Sequence, residues 1–529
     1  MDPIELSIFA SRLEAVCDEM GVVLRNAAFS PNIRDRLDFS CAVFDAAGAL
    51  CAQAAHIPVH LGSMAFAMAD LVARVEWAEG DMVILNDPFL GGTHLPDVTV
   101  IAPVFTPASD GAQLAAFVVN RAHHADIGAS APGSMPISRS IHEEGQVIEP
   151  VHLIRGNALD EVKLDMLAGN TRNPTDARGD FFAQISANRT GAVRLGELIG
   201  RIGLAQFKEG LRALDDYGER LATQALRQIP DGEYRFEDWM DDDGQGNRDI
   251  AIRVRIAVKN GAAHVDFSGT ADQVAGNINC PLAVAAAAVL YVFRCLMPPQ
   301  TPACAGSFRP VSLSAPPGCL LNARYPAAVA AGNVETSTRV VDVVTGALAQ
   351  AVPDWIPAAS HGSMNNLAMG SAAPDAAWDY YETIGGGMGA GALGGGLSGV
   401  QTHMTNTLNT PIEVLESRYP LRVWRYGLRR GSGGAGRRVG GDGLVRELEF
   451  LAPASVSLLT ERRTHRPWGA EGGEPGRSGR NLLNGRELPS KAALDVLDGD
   501  RLAVETPGGG GWGSAGTDTG PGDTGVMKG

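Results

Sequence analysis

The stretch Asn86-Asp-Pro-Phe-Leu-Gly-Gly-Thr-His94-Leu-Pro-Asp97 restricts the fold of this chain more than any other. A loop rich in glycine and proline delivers a histidine and an aspartate three positions apart. Apolar residues 98–105 follow, then a polar turn, then a second apolar run, 115–119. That run ends in Asn120-Arg-Ala-His123-His124-Ala-Asp126. Two neighbouring strands would thus each carry imidazoles to one edge of a sheet. Successive side chains on a strand alternate between its faces, so His123 and His124 cannot point the same way. One is a candidate metal ligand, and the other a candidate for supporting or substrate contact. A first-row divalent metal takes such a mixed histidine and carboxylate set, with zinc, manganese and iron all compatible. An open position on it can activate water. The same residues also suit hydrogen-bonded turn caps, because aspartate favours turns. Spacing alone leaves both readings open.

The rest of the pattern is α+β: a large mixed α/β protein with antiparallel sheets and the candidate metal site at strand ends in its N-terminal part. Phe9, Leu13, Val16 and Met20 fall at helical spacing. Residues 38–44 and 82–85 read as strands. Residues 195–229 read as one long helix, with Leu204, Phe207, Leu211, Leu214, Tyr217 and Leu221 on a stripe and Pro230-Asp-Gly232 as its stop. Ile250, Ile252, Val254, Ile256 and Val258 then alternate with polar positions. Asn260-Gly261 supplies a hairpin turn, and the strand around His264 returns. For His264 a satisfied structural histidine is expected. Two apolar helices follow, over 282–296 and 336–352. The expected organisation is a metal-site-bearing part over 1–193, a connecting helical region over 194–230, a second α+β part with glycine-rich loops over 231–512, and a disordered Gly/Thr/Asp/Ser tail over 513–529.

Composition narrows the function classes. A chain of 529 residues can build a large core. Its formal net charge of −16 repels nucleic acid and anionic membranes, so neither is expected as a partner. No targeting segment is visible at the N-terminus. The longest apolar run, 282–293, is too short to cross a bilayer. The seven cysteines include no C-x-x-C pair, which points to reduced thiols in the cytoplasm. Cys280, in Asn277-Ile-Asn-Cys-Pro281, reads as a buried small residue rather than a nucleophile. Glycine is abundant, 65 residues in all, and clusters at 385–396, 431–443 and 508–513. Gly431, Gly433 and Gly436 match G-x-G-x-x-G without a strand–turn–helix context, a weak signal in glycine-dense sequence. Neither a P-loop nor a G-x-S-x-G elbow occurs. The glycine loops suit the lining of a site or a subunit contact.

Several segments together carry a resemblance. They are Arg34-Asp-Arg-Leu-Asp38-Phe-Ser40, the stretch from Asn86 to Asp97, Arg121-Ala-His-His-Ala-Asp-Ile-Gly128, Asp266-Phe-Ser-Gly-Thr270, Gly332-Asn-Val-Glu-Thr336, Glu382-Thr-Ile-Gly-Gly-Gly387 and Thr506-Pro-Gly-Gly-Gly-Gly-Trp512-Gly. From about Pro3 to Trp512 the chain resembles the hydantoinase B/oxoprolinase family. That family includes N-methylhydantoinase B-type subunits, the C-terminal part of 5-oxoprolinase and related carboxylase subunits.

The resemblance implies a division of labour. A hydantoinase A-type partner binds ATP and phosphorylates the carbonyl oxygen of a small cyclic amide, and the B-type chain opens the activated ring at one divalent metal. It further implies a cytoplasmic hetero-oligomer in which this chain does not bind ATP. By the same resemblance His94, Asp97 and His123 are metal ligands, with Asp38 as a fourth ligand or as a group orienting one. Asp97, His123, His124 and Asp126 form the catalytic set. His123 is preferred over His124 because it stands three before Asp126, as the ligand does in the family pattern. His56 and His60 are pocket-lining candidates; Pro58 between them argues against a helix there. A carboxylase subunit acting on ketones and a non-catalytic scaffold subunit are the alternatives.

Overall fold

The computed structural model describes residues 1–515 apart from 55, 109–110 and 374–376; most of the expected tail, from 516 on, lies outside the described residues. The first sheet has seven strands, all antiparallel. In spatial order they are Leu50–Gln53, Phe39–Asp45, Gly111–His123, Asp97–Ala108, Met82–Leu85, Val151–Arg155 and Ala158–Leu159. The period-two geometry of a strand sends alternate side chains to two different cores. Cys41, Val43, Val98, Val100 and Val118 pack with Phe9, Leu13, Met20, Phe181 and Ile185. Ala42, Phe44, Ile101, Phe117 and Val119 pack with Met64, Met68 and Leu71. Helices Pro3–Ala27 and Pro174–Ile202 therefore cover one face and helix Pro58–Arg74 the other. Each fully buried aliphatic or phenyl side chain contributes roughly 1.5–3 kcal/mol.

Register matters for the site. The central ladder runs out at the pair Asp97↔His123. Directly opposed residues of an antiparallel pair lie within side-chain reach, so the hairpin itself sets the carboxylate beside the imidazole.

The helix expected over 195–229 is two helices, Pro174–Ile202 and Leu204–Leu226, broken at Gly203. The earlier start escaped the apolar pattern because polar residues interrupt the buried face there. Asp180 accepts from the amides of Phe29 and Ser30, at 2.8 and 3.1 Å. Gln184 and Asn188 donate to the carbonyls of Val98 and Val100 at 2.8 and 2.9 Å.

The second core is built on the expected hairpin. Arg248–Lys259 pairs with Ala262–Asp266 across Asn260 and Gly261, both in the left-handed region at φ 54° and 79°, as a type I′ turn requires. Gly232–Asp242 and Val311–Ser314 complete this four-stranded sheet, and Val311–Ser314 joins in parallel. His264 lies between Ser312 and Ser314, at 2.9 and 3.1 Å from their hydroxyls. Helices Leu282–Cys295 and Ser337–Leu348 cover the sheet. Two further antiparallel sheets share a third core. One has the order Trp378–Glu382, Asn366–Ser371, Ala454–Leu459, Lys491–Val496. The other has five strands, with Leu421–Arg429 at one edge. The glycine-rich stretches interlock backbone to backbone, as in Gly441 N–H to Met388 O at 2.8 Å and Gly434 N–H to Gly509 O at 2.8 Å.

Candidate metal centre

His94 leaves the glycine-rich loop, Asp97 opens one hairpin strand and His123 closes the other. One nitrogen from each imidazole and one carboxylate oxygen all lie within 4.8 Å of one another, and all three residues are buried. No other three His, Cys, Asp or Glu side chains among the described residues converge in this way.

The ring nitrogens are already divided in role. His94 Nδ1 sits 3.3 Å from the Ala330 carbonyl. His123 Nδ1 faces the His124 carbonyl at 3.0 Å and Asn32 Nδ2 at 3.2 Å. His123 Nε2 is buried with no partner, and His94 Nε2 and Asp97 Oδ1 are buried without a well-aligned hydrogen bond. His94 Nε2 and His60 Nε2 each approach an Asp97 oxygen at 3.2 Å. Leaving several buried polar atoms unpaired costs about 1–3 kcal/mol each, so the orphaned set needs a reason. A divalent cation with mixed N/O preference fits it, because it draws on these same atoms.

Electrostatics agree with an anionic carboxylate flanked by imidazoles. Burial pushes Asp97 up, but His60 and His94 override it and hold the group well below the usual carboxylate range. Burial pulls His94 down, yet Asp97 and the Ala330 carbonyl leave it raised. Burial and His94 drive His123 well below the usual histidine range. Thr93 Oγ1 donates to Asp97 Oδ2, and Asn333 Nδ2 donates to the same oxygen at 3.3 Å.

The remaining sequence candidates divide. Asp38 stands outside the tight group of three. Its Oδ1 is 4.0 Å from His60 Nε2, its Oδ2 is 3.8 Å from Arg36, and its backbone carbonyl accepts from His123 N–H at 2.9 Å. His60 reaches the centre because Pro58 opens a helix instead of preventing one. Proline suits the first helical position, where its missing N–H needs no partner. The expectation against a helix there was wrong for that reason. His56 precedes that helix, accepts the Cys41 amide at 3.1 Å and packs on Phe39. His124 faces away from the centre: its Nε2 is 3.0 Å from Gln184 Oε1, and its ring lies on Phe181. Asp126 organises its own loop, accepting from Gly128 N–H and Ser134 Oγ at 2.8 and 2.7 Å and from Arg172 N–H at 2.7 Å. Cys280 is buried and in no disulfide, and burial pushes its thiol up, which disfavours the thiolate a nucleophile needs.

Sequence reading missed the second layer. Tyr381 stacks on His123, with centroids 4.7 Å apart and planes within 9°. Arg121 bridges Thr99, Ser63 and the Gly91 carbonyl, at 2.8, 2.6 and 3.1 Å, and so ties the loop to the sheet. Arg121 opens the Arg121–Gly128 motif, and its position on a strand with both faces buried was the available signal. Tyr381 carried none.

The class defined by this fold and site is thus a mixed α/β protein with a buried His/Asp centre suited to a divalent metal. More particularly, the chain belongs to the hydantoinase B/oxoprolinase family, whose pattern matches residues 2–515. It is 41% identical to 5-oxoprolinase 1 of Arabidopsis thaliana over 97% of this chain and 42% of that protein. It thus spans about two fifths of the length of that relative. It is 32% identical to the putative B-type subunit of a D-/L-hydantoinase from a Pseudomonas species, over 97% of this chain and 90% of the other. The ATP-dependent caprolactamase of Pseudomonas jessenii superposes with a TM-score of 0.90 at 29% identity, covering 97% and 91% of the two chains. Acetone carboxylase shares the fold, with a TM-score of 0.85 at 18% identity, covering 97% and 76%.

Proposed function

We propose that this chain is the ring-opening subunit of an ATP-dependent cyclic amide hydrolase of the hydantoinase/5-oxoprolinase type. The observation that carries the reading is the buried, converging His94/Asp97/His123 group with His123 Nε2 left unpartnered, in a chain similar to an ATP-dependent caprolactamase. The three side chains would hold one divalent metal, zinc, manganese or iron, with Asp38 placed to support them through His60 and the His123 amide. Lewis acidity toward a carbonyl or phosphoryl oxygen is what such a metal supplies. The chain's own residues do the rest. Thr93, His60 and Asn333 fix the Asp97 carboxylate. Burial of all three keeps bulk water from competing.

Activation of the ring is assigned to an ATP-binding partner of the hydantoinase A type, so the working unit is a hetero-oligomer. Supporting this, the chain covers 90% of the Pseudomonas relative, whose name marks it as one subunit of several, and 42% of the longer plant 5-oxoprolinase. An unstrained lactam is a poor electrophile, and O-phosphorylation supplies a leaving group; that is the chemical reason for two sites. Seven cysteines with no disulfide among them support a cytoplasmic setting. No helix among the described residues is long and apolar enough to cross a membrane.

The test is reconstitution with the ATP-binding partner on a panel of 5-oxoproline, hydantoins and lactams, together with small ketones plus bicarbonate. Asp97→Ala is expected to lose ring-opened product by orders of magnitude while substrate-stimulated ATP hydrolysis persists. Product at the wild-type rate would remove Asp97 from the reaction. Carboxylated ketone would instead favour the second reading, a carboxylase subunit, which the shared fold with acetone carboxylase keeps in view.

A further inference from the structure

Three residues close together in sequence each lead to a different member of the His94/Asp97/His123 group. The Ala330 carbonyl faces His94 Nδ1 at 3.3 Å. Asn333 Nδ2 donates to Asp97 Oδ2 at 3.3 Å. Glu335 Oε1 accepts from Asn366 Nδ2 at 2.9 Å and from the Met364 amide at 3.1 Å. Asn366 Oδ1 in turn accepts the Tyr381 hydroxyl, and the Tyr381 ring is the one stacked on His123.

Local geometry explains how one stretch reaches so far. Gly332–Thr336 forms a π-helical turn with all five residues buried. Such turns are rare and recur at functional sites. Gly332 is pressed onto the Asn279 carbonyl, where an added Cβ would lie 1.9 Å from that oxygen. Thr336 Oγ1 donates to the Ile278 carbonyl at 2.5 Å. Upstream, Glu144 accepts from the amides of Val329 and Ala330, at 2.9 and 3.0 Å. The stretch is therefore pinned at both ends.

We infer that residues 330–335 are the positioning element of the candidate metal centre, Ala330 and Asn333 orienting His94 and Asp97 directly and Glu335 orienting His123 through Asn366 and Tyr381. The inference rests on the reading of that centre as a metal site. A backbone acceptor on Nδ1 fixes which His94 nitrogen is left free, and partners behind the ligands commonly set ligand orientation and metal affinity. Glu335, Asn333 and Tyr381 are positioning residues: Asn333 donates to Asp97, and Glu335 reaches the Tyr381 ring stacked on His123 only through Asn366. Glu335 is deeply buried, and burial pushes its carboxyl up to about 8. Glu335→Gln keeps the oxygen that faces Asn366 and Met364.

The test measures Zn²⁺ and Mn²⁺ affinity of the full chain by competition with a chromophoric chelator, alongside the Mn²⁺ electron paramagnetic resonance spectrum and the melting curve of the metal-free protein. Asn333→Ala and Glu335→Ala are expected to weaken metal binding about 10–100-fold and to change the spectrum. Glu335→Gln is expected to stay near wild type in both. His94→Ala is the reference for a lost ligand. If Glu335→Ala does not fold, Asn333→Ala carries the test, since it deletes the one amide group that donates to Asp97 Oδ2. Wild-type affinity and spectrum in Asn333→Ala, with metal lost in His94→Ala, would overturn the inference alone. Metal retained in His94→Ala, or bound by no form of the protein, would overturn the metal-centre reading and the inference with it. Altered melting without altered metal affinity would assign these residues to the core only, against the inference.

Discussion

His123 and His124 are neighbours in the chain, yet strand geometry separates their surroundings. His123 Nε2 is buried and unpaired beside Asp97, whereas His124 Nε2 pairs with Gln184 and its ring covers Phe181. Truncation should therefore have opposite effects. His124→Ala leaves a cavity and strands Gln184, which should cost about 2–4 kcal/mol of unfolding free energy with metal content retained. His123→Ala should lose the metal, at a smaller cost to the metal-free protein. Denaturant titration and elemental analysis of both variants decide it. Loss of metal in His124→Ala with stability intact would return His124 to the site. The sequence alone could say that only one of the pair faces the centre. The resemblance pointed to His123, and the pairing Asp97↔His123 supplies the physical reason, which is a matter of register.

At the scale of elements, legibility followed the kind of burial. The hairpin and the strands around it were readable because both faces are apolar and the runs end in turn residues. The first half of helix Pro174–Ile202 was not, because Asp180, Gln184 and Asn188, which satisfy backbone groups of Ser30, Val98 and Val100, interrupt the face on which Phe181 and Ile185 enter the core. The loop around Asp126 makes the same point. Arg172 lies 3.6 Å from Asp126 and 3.5 Å from Asp379, so two carboxyls share one guanidinium. Burial, and then Asp126, push Asp379 up to about 7 against the pull of Arg172. In the unfolded chain this group titrates near 4. A raised acid stabilises the fold fully below its unfolded value, and that contribution is lost as pH rises through the folded value, here between about 4 and 7. Asp379→Asn mimics the protonated form. Its unfolding free energy should therefore fall less than that of wild type between pH 5 and pH 8, by on the order of 2 kcal/mol. Parallel curves for the two proteins would mean that Asp379 ionises as an ordinary carboxyl.

At the scale of the whole molecule, the candidate centre is a joint between cores that are distant in sequence. Its three converging side chains come from the first sheet and the loop that leads into it. Ala330 and Asn333 come from the second core, and Tyr381 comes from a strand of the third. Contacts at such separations leave no local trace, so the motif around Asn333 and Glu335 could be recognised in the sequence without its purpose being visible. The physical consequence is coupling. Metal that draws His94, Asp97 and His123 together should steady segments that never touch it. Amide hydrogen exchange on the metal-loaded and chelated full-length protein reads this directly, since local opening free energies differ from segment to segment. Loading should slow exchange at residues 329–336 and 363–367 as well as at 91–126, and leave the outlying strand Arg486–Leu488 unchanged. Slowing confined to 91–126 would mean that the first sheet holds the metal on its own and that the other cores are scaffolding. Slowing spread evenly over the chain would mean that loading stabilises only the global fold. The pattern expected here lies between these, with protection following the hydrogen bonds from Glu144 to the Ala330 amide and from Met364 and Asn366 to Glu335.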